Sequence, residues 1–529
     1  MTRHGAVATA WIGRIVFAAL LFGMPRGAPV HAASPREAFE TALQRWDLDA
    51  AEARAAELTA PAERDFAMGM VALYRGDYVA ARDRLAQAAA RAEGTPLASQ
   101  IQRYLQIATN AASIFAAGPR IETEHADLRF ASDKDVLLAA YAEDALRIAL
   151  PRLEAVVGVR PSAPLRIEFL DDPAKLAQVT ELPLSAVRTT GTVGVTKHGR
   201  IVMVTPRVML RGYPWIDTLV HETVHDLLVR RTGNRAPVWL QEGLAKFLET
   251  SWRSPEPPPL DPAVAHLLRR AIQRDDLVTF EEMHPSLALL PSQERAALAY
   301  AQVETMMAVL VELHGPASID RLLDAVAAGR PAEEALAAAH GASFDDFLST
   351  WKKTMLARTR NARPGRLPSR RFRSPDDPPD VDADLLGDAF SAMGGGKARK
   401  HARLGQLLER RGHLRAAAKE YETARRAGGR AAKDPQLYRR LGRVYLELGR
   451  PVKAAPLLDT ALAALPDNAS LAADVAEAKL AAGDLEGAHA AAMQAIRTNP
   501  FIGPVHCVLA RTHPDEQRRA EERRHCRPR

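Results

Sequence analysis

His221-Glu222-Thr223-Val224-His225 sets two imidazoles four residues apart, with a carboxylate next to the first. At about 100° per residue, an α-helix would hold these three side chains within one arc of its surface. Two neutral imidazoles so placed suit one zinc ion, and a carboxylate at Glu222 reaches a water beside it and takes its proton. Ile216, Leu219, Val220, Val224, Leu227 and Leu228 supply the apolar residues that would anchor such a helix in a core. Taken alone the motif also reads as two surface histidines and an ordinary helix-surface acid. What sharpens it is Trp239-Leu240-Gln241-Glu242-Gly243-Leu244-Ala245, soon after a polar turn through Arg231 to Pro237. A second helix starting near Pro237 can return beside the first and bring Glu242 to a third ligand position. A fourth position then stays open for water and a carbonyl, as a catalytic zinc centre requires. The plainer reading of Glu242 is an acid near a helix N-terminus.

The elements that must position these residues lie in 119–357. β-rich runs at His125 to Phe130, Leu165 to Leu170 and Thr192 to Val204 come first, with Lys197-His198-Gly199 as a hairpin turn. Long helical patterns follow from Pro214, so the expected class is α+β. His125 and His198 have no spacing partner and read as turn or surface histidines.

On both sides the sequence repeats. Ala454 to Ala488, Ala461 to Ala495 and Pro466 to Pro500 are each 34 residues apart, the period of the tetratricopeptide helix-turn-helix unit. Leu441, Gly442, Tyr445 and Leu458 complete one copy, and Leu404, Gly405, Leu408, Ala417, Tyr421 and Ala424 make another upstream. Gly69, Ala81, Leu85 and Ala88 keep the same offsets near the start, so 34–118 reads as helical hairpins that lean on the domain behind them. Residues 358–397, dense in Pro, Arg, Asp and Ser, read as a linker that lets 398–529 move separately.

His221 to His225 with Glu242 in a Trp-x-x-Glu-Gly-x-Ala setting resembles the gluzincin metallopeptidases, in particular the peptidase MA-like group. The resemblance covers about 119–357. It implies a minimal thermolysin-like core, Zn2+ held by His221, His225 and Glu242, and Glu222 as general base. It also implies a strand ahead of the zinc helix that aligns an extended peptide, for which Arg200 to Val204 is the candidate. Tyr300 stands where similar proteins carry an aromatic hydroxyl, either as a donor to an oxyanion or as packing. Glu242 follows His225 by 17 residues, a shorter gap than in the best-known members, and their Asn-Glu-x-x-x-Asp pattern is missing. The acid that orients the histidines is therefore open between Glu249 and Asp217.

The 529 residues, 47% hydrophobic and 26% charged, indicate several folded units and exclude a mostly disordered chain. Residues 1–33 read as a secretory signal peptide. Arg3 and Arg14 are its basic part, Ile15 to Met24 its apolar part, and Val30-His31-Ala32 its cleavage site; a retained anchor is the alternative. The expectation is an exported, periplasmic or cell-envelope protein with no integral span after cleavage. Cys507 and Cys526, the two cysteines, would tie down the tail if paired. The net charge of +7 comes with basic clusters at Arg358 to Arg373 and Lys397 to Arg415, read as solvated faces and linker. No nucleic-acid motif accompanies them.

Two functions remain. One is a zinc metallopeptidase whose repeats recruit a peptide or protein substrate, or a protein partner. The other is a non-catalytic envelope scaffold that works through its repeats and keeps a vestigial peptidase-like domain.

Overall fold

A computed structural model describes residues 34–528 except 162 and 428–433; of 366–395 it describes 367, 370–374, 377, 390 and 393. The expected signal peptide, 1–33, lies outside the described residues.

Five helices, from Pro35–Gln44 to Ala98–Phe115, open the described chain. The repeat pattern works by close approach: a Cβ on Gly69 would stand 2.7 Å from Leu85 Cγ in the facing helix. Ala81, Leu85 and Ala88 are fully buried on that face. Beyond them lie β1 (Arg120–Glu122), β2 (Ala126–Phe130), β3 (Leu165–Leu170), β4 (Gly194–Lys197) and β5 (Arg200–Val204). The sheet order is β1-β2-β3-β5-β4. The central strands β2, β3 and β5 are parallel, and β1 and β4 run antiparallel at the edges. Helix Leu138–Val157 makes the crossover from β2 to β3, so strands and helices are interleaved here rather than sorted into two blocks.

Alternation along the strands gives the sheet two partners. Phe169 meets the Trp215 ring edge-on at 6.0 Å, on the face that supports helix Trp215–Thr232. The opposite face carries Arg129, Arg166, Glu168 and Arg200. Arg129 donates to the Gly76 carbonyl at 2.6 Å and Arg166 to that of Tyr74 at 2.5 Å, while the Tyr78 hydroxyl bonds Glu168. Glu168 and Arg200 form a buried pair at 2.6 Å. The N-terminal hairpins are thus fastened to the sheet by charge-assisted bonds, and the buried Glu168 and Arg200 charges offset each other.

His198 and Gly199 close the β4–β5 hairpin with φ of +53° and +70°, as a two-residue type I′ turn requires. His198 is a turn residue but not a surface one. Its ring is buried at 3.9 Å from that of Tyr74 and 5.5 Å from that of Trp46. His125 likewise has a partner, with Nδ1 2.6 Å from Glu143 Oε1.

After the sheet come the motif helix Trp215–Thr232, a returning helix Val238–Leu248 and a long helix Gln293–His314, followed by helices to Phe344–Arg358. The long helix is apolar enough to cross a membrane by length and composition, yet Val303, Met306, Met307 and Leu310 bury it in the core around the returning helix. Three helix pairs between Lys397–Arg410 and Leu485–Thr498 form the C-terminal repeats, closed by Gly503–Thr512 and Glu516–His525. Cys507 and Cys526 are joined as a disulfide across that last pair.

These repeats do not hang free on a linker. Trp215, the first residue of the motif helix, donates its indole N–H to the Ile496 carbonyl at 2.9 Å, and the Tyr213 amide donates to that of Thr498 at 3.0 Å. Arg497 pairs with Asp217 at 3.3 Å, and Tyr141 donates to Glu522 at 2.6 Å. The expected independent movement fails because buried polar groups of the motif helix find their partners in the last repeat. Part of the linker is docked as well: Arg371 and Arg373 exchange backbone bonds with Leu210 and Val208.

Candidate metal centre

The motif helix starts after Pro214 and ends at Gly233, whose φ of +61° lets the chain reverse. Val220, Val224, Leu227 and Leu228 are fully buried along it, which fixes its rotation. His221, Glu222 and His225 then point together to the other side. The returning helix, beginning at Val238, can lie close because of its Glu-Gly pair: a Cβ on Gly243 would stand 2.9 Å from the Val303 carbonyl of the long helix. Trp239 stacks on Phe280 at 4.7 Å and donates to Glu333, pinning the start of the same helix.

Glu242 is thereby delivered to the histidines. His221 Nε2 is 3.2 Å from His225 Nε2 and 3.2 Å from Glu242 Oε2, and His225 Nε2 is 3.6 Å from the same oxygen. Donors on a tetrahedral zinc at about 2.05 Å stand about 3.3 Å apart, so this nitrogen, nitrogen and oxygen set fits the ion and leaves one corner open. Glu124, His125 and Glu143 form a second group with converging ligand atoms, with Glu124 exposed.

Of the two acids considered for orienting the histidines, Glu249 is the one in place. Its Oε2 is 3.3 Å from His221 Nδ1, and Lys246 bonds its other oxygen. Asp217 is occupied elsewhere, accepting from Trp252 at 2.7 Å and from Arg253 at 3.1 Å. Burial would depress the His221 imidazolium, but the Glu242 and Glu249 carboxylates override it and raise its pKa to about 10. Burial acts against the Glu249 carboxylate too, and Lys246 with His221 brings it down to about 2. Glu304, on the long helix, is lifted by burial to about 7 despite Lys246 nearby.

Glu222 lies against β4. Thr196 donates from Oγ1 to Glu222 Oε2 at 2.7 Å, and a Cβ on Gly194 would stand 2.7 Å from Oε1. The strand beside the centre is therefore β4 and not Arg200 to Val204, since β5 is paired on both sides by β3 and β4. Val193 accepts from Val204, so the alternation turns the backbone groups of Gly194 and Thr196 to the free edge. Sequence reading missed both residues; their signal was a Gly and a Thr two apart on one face of the strand before the motif helix. Tyr300, on the long helix, has its ring 6.2 Å from that of His221. Burial, then the Glu242 charge, holds its phenol protonated, well above the ordinary tyrosine pKa.

No curated protein matches this chain. Among solved structures, native yeast LTA4 hydrolase is similar at 13% identity, over 77% of this chain and 66% of that one, with a TM-score of 0.30. MamA MSR-1 C2 is similar at 17% identity, over 34% of this chain and 84% of that one, with a TM-score of 0.22. The APC/C hetero-tetramer Cut9-Hcn1 is similar at 12% identity, over 90% of this chain and 83% of that one, with a TM-score of 0.20. Residues 145–357, which hold the motif helix, the returning helix and the long helix, match the sequence model of the Peptidase MA superfamily.

Proposed function

We propose that the protein is a zinc-dependent metallopeptidase that hydrolyses peptide bonds. The observation that carries this reading is the convergence of His221, His225 and Glu242 at tetrahedral spacing, with the Glu222 carboxylate beside them against a free strand edge. A zinc ion held there supplies Lewis acidity to a scissile carbonyl and to water. Glu222 accepts the proton of the attacking water and passes it to the leaving amine. Thr196 fixes the carboxylate in the orientation from which it does so. Gly194 and Thr196 offer backbone groups to an extended substrate, which adds itself as one more strand. Tyr300 donates from its phenol to the oxygen that gains charge.

Export belongs to the same reading. The disulfide between Cys507 and Cys526 favours an oxidising compartment such as the periplasm or cell envelope, where residues 1–33 would direct the chain. Sequencing the N-terminus of the secreted protein checks this, with cleavage after Ala32 or Ala33 expected. The scaffold alternative keeps the repeats as its working surface for a protein partner, but a vestigial centre gives no reason for an intact Glu222 held by Thr196.

The test is metal analysis of the purified protein beside a peptidase assay. About one zinc per chain and hydrolysis that a chelator stops and zinc restores are expected. His221→Ala or Glu242→Ala should lose metal and turnover together. Chelator-resistant hydrolysis, or a folded protein that takes up no zinc, would count against the reading.

A further inference from the structure

Arg370 belongs to the Pro- and Arg-rich stretch, outside the 145–357 match, yet its backbone is clamped. The Gln293 side-chain amide bonds it twice, accepting from Arg370 N at 3.0 Å and donating to Arg370 O at 2.9 Å. The next residues continue as a β-bridge between Phe372 and Met209. On the other side Arg370 Cβ is packed on Gly191, where an added Cβ would be only 2.8 Å away. Gln293 opens the helix that carries Tyr300, about 10 Å further along. Gly191 precedes β4 by three residues, so it lies within about 10 Å of the strand start. Arg370 thus joins the start of the long helix to the turn ahead of β4, the two elements that continue into the metal centre, and its side chain is exposed.

Its guanidinium stands 6.0 Å from the centre of the Tyr213 ring. Among the described residues no carboxylate pairs with it. Three acids of the site are committed elsewhere: Glu222 to Thr196, Glu242 to the histidines and Glu249 to Lys246 and His221. A cation positioned by a fixed backbone, resting on an aromatic face and lacking an anion, is arranged to receive one from outside.

Resting on the peptidase reading, we propose that Arg370 binds a carboxylate of the substrate within about three residues of the bond to be cut, at about 3.3 Å of reach per residue. The carboxylate is a chain terminus or an acidic side chain. The linker thereby selects substrates in addition to joining two parts of the chain.

Zinc-loaded Glu222→Gln protein, with and without Arg370→Ala, would be titrated with three N-acetylated Ala-rich tetrapeptides. One ends as the free acid, one as the carboxamide, and one as the carboxamide with a Glu near its end. At least one acid form should bind about tenfold more tightly than the plain carboxamide, and Arg370→Ala should erase that ratio. The free acid and the Glu peptide separate a terminal from a side-chain carboxylate. Equal or undetectable binding of all three, or a preference that survives Arg370→Ala, would overturn the assignment. Hydrolysis of the same peptides by the Glu222 form separates the two claims. An Arg370-dependent preference without hydrolysis sinks the peptidase reading alone, and hydrolysis without preference sinks the Arg370 assignment alone. A uniform loss of kcat on all peptides in Arg370→Ala, with no change in their ratio, would place the side chain on the reacting carbonyl and also overturn it.

Discussion

His221 has a carboxylate on each ring nitrogen, Glu242 at 3.2 Å and Glu249 at 3.3 Å. Two consequences follow for metal uptake. Without metal His221 keeps its proton up to about pH 10, so zinc must displace it. Apparent zinc affinity should therefore rise about tenfold from pH 7 to pH 8, measured by competition with a chelator of known affinity. Affinity independent of pH would contradict the assignment. The same raised pKa has a stability sign: the metal-free fold is helped fully below about pH 6.5, and that help is lost as pH rises towards about 10. Glu249→Gln should cost about 10- to 100-fold in zinc affinity, because the ring it orients is freed. Tyr300→Phe should keep zinc and lower kcat by about 10²- to 10³-fold if the phenol serves the oxyanion; an unchanged kcat would leave it as packing. That His221, His225 and Glu242 come together was legible in the sequence because the two histidines sit one helical turn apart and Glu242 follows on a second helix soon after. The choice between Glu249 and Asp217 was not, since it depends on which groups reach Asp217 from Trp252, Arg253 and the distant Arg497.

At the scale of elements, β4 holds the general-base candidate in place. Gly194→Val would press on the Glu222 carboxylate, which already stands where its side chain would go. Zinc content and far-UV circular dichroism should persist while kcat falls at least about tenfold; full activity would mean that the carboxylate is not confined by the strand. The run Thr192 to Val204 and its turn at His198-Gly199 could be read from β-rich residues and the turn chemistry. Which of its two strands forms the edge could not be read, because strand order is set by pairing with β3 far back in the chain. The crossover role of helix Leu138–Val157 could not be read for a similar reason: it depends on β2 and β3 being parallel. Gly243, by contrast, explains its own place in the motif once the long helix is seen at its back.

Across the whole molecule, the peptidase-like region lies between two sets of helical repeats and is bonded to both. The 34-residue period announced the repeats, but nothing in it told where they dock, since Arg497 and the carbonyls of Ile496 and Thr498 meet the motif helix through groups that a repeat consensus leaves free. Removing 398–529 strips partners from Trp215, Tyr213 and Asp217 at the start of the helix that carries His221. The truncated chain should lose bound zinc and become sensitive to limited proteolysis; a stable, zinc-loaded truncation would restore the view of two independent units. The proposed hydrolysis turns on Glu222 acting as the base beside a bound metal. Its most direct test is zinc content and peptide hydrolysis measured on the same preparations of the natural protein and Glu222→Gln. The prediction is about one zinc in each and hydrolysis in the natural protein, with a loss of at least about 10³-fold in the variant. Equal hydrolysis by the two, or none by the zinc-loaded natural protein on any peptide, would contradict it.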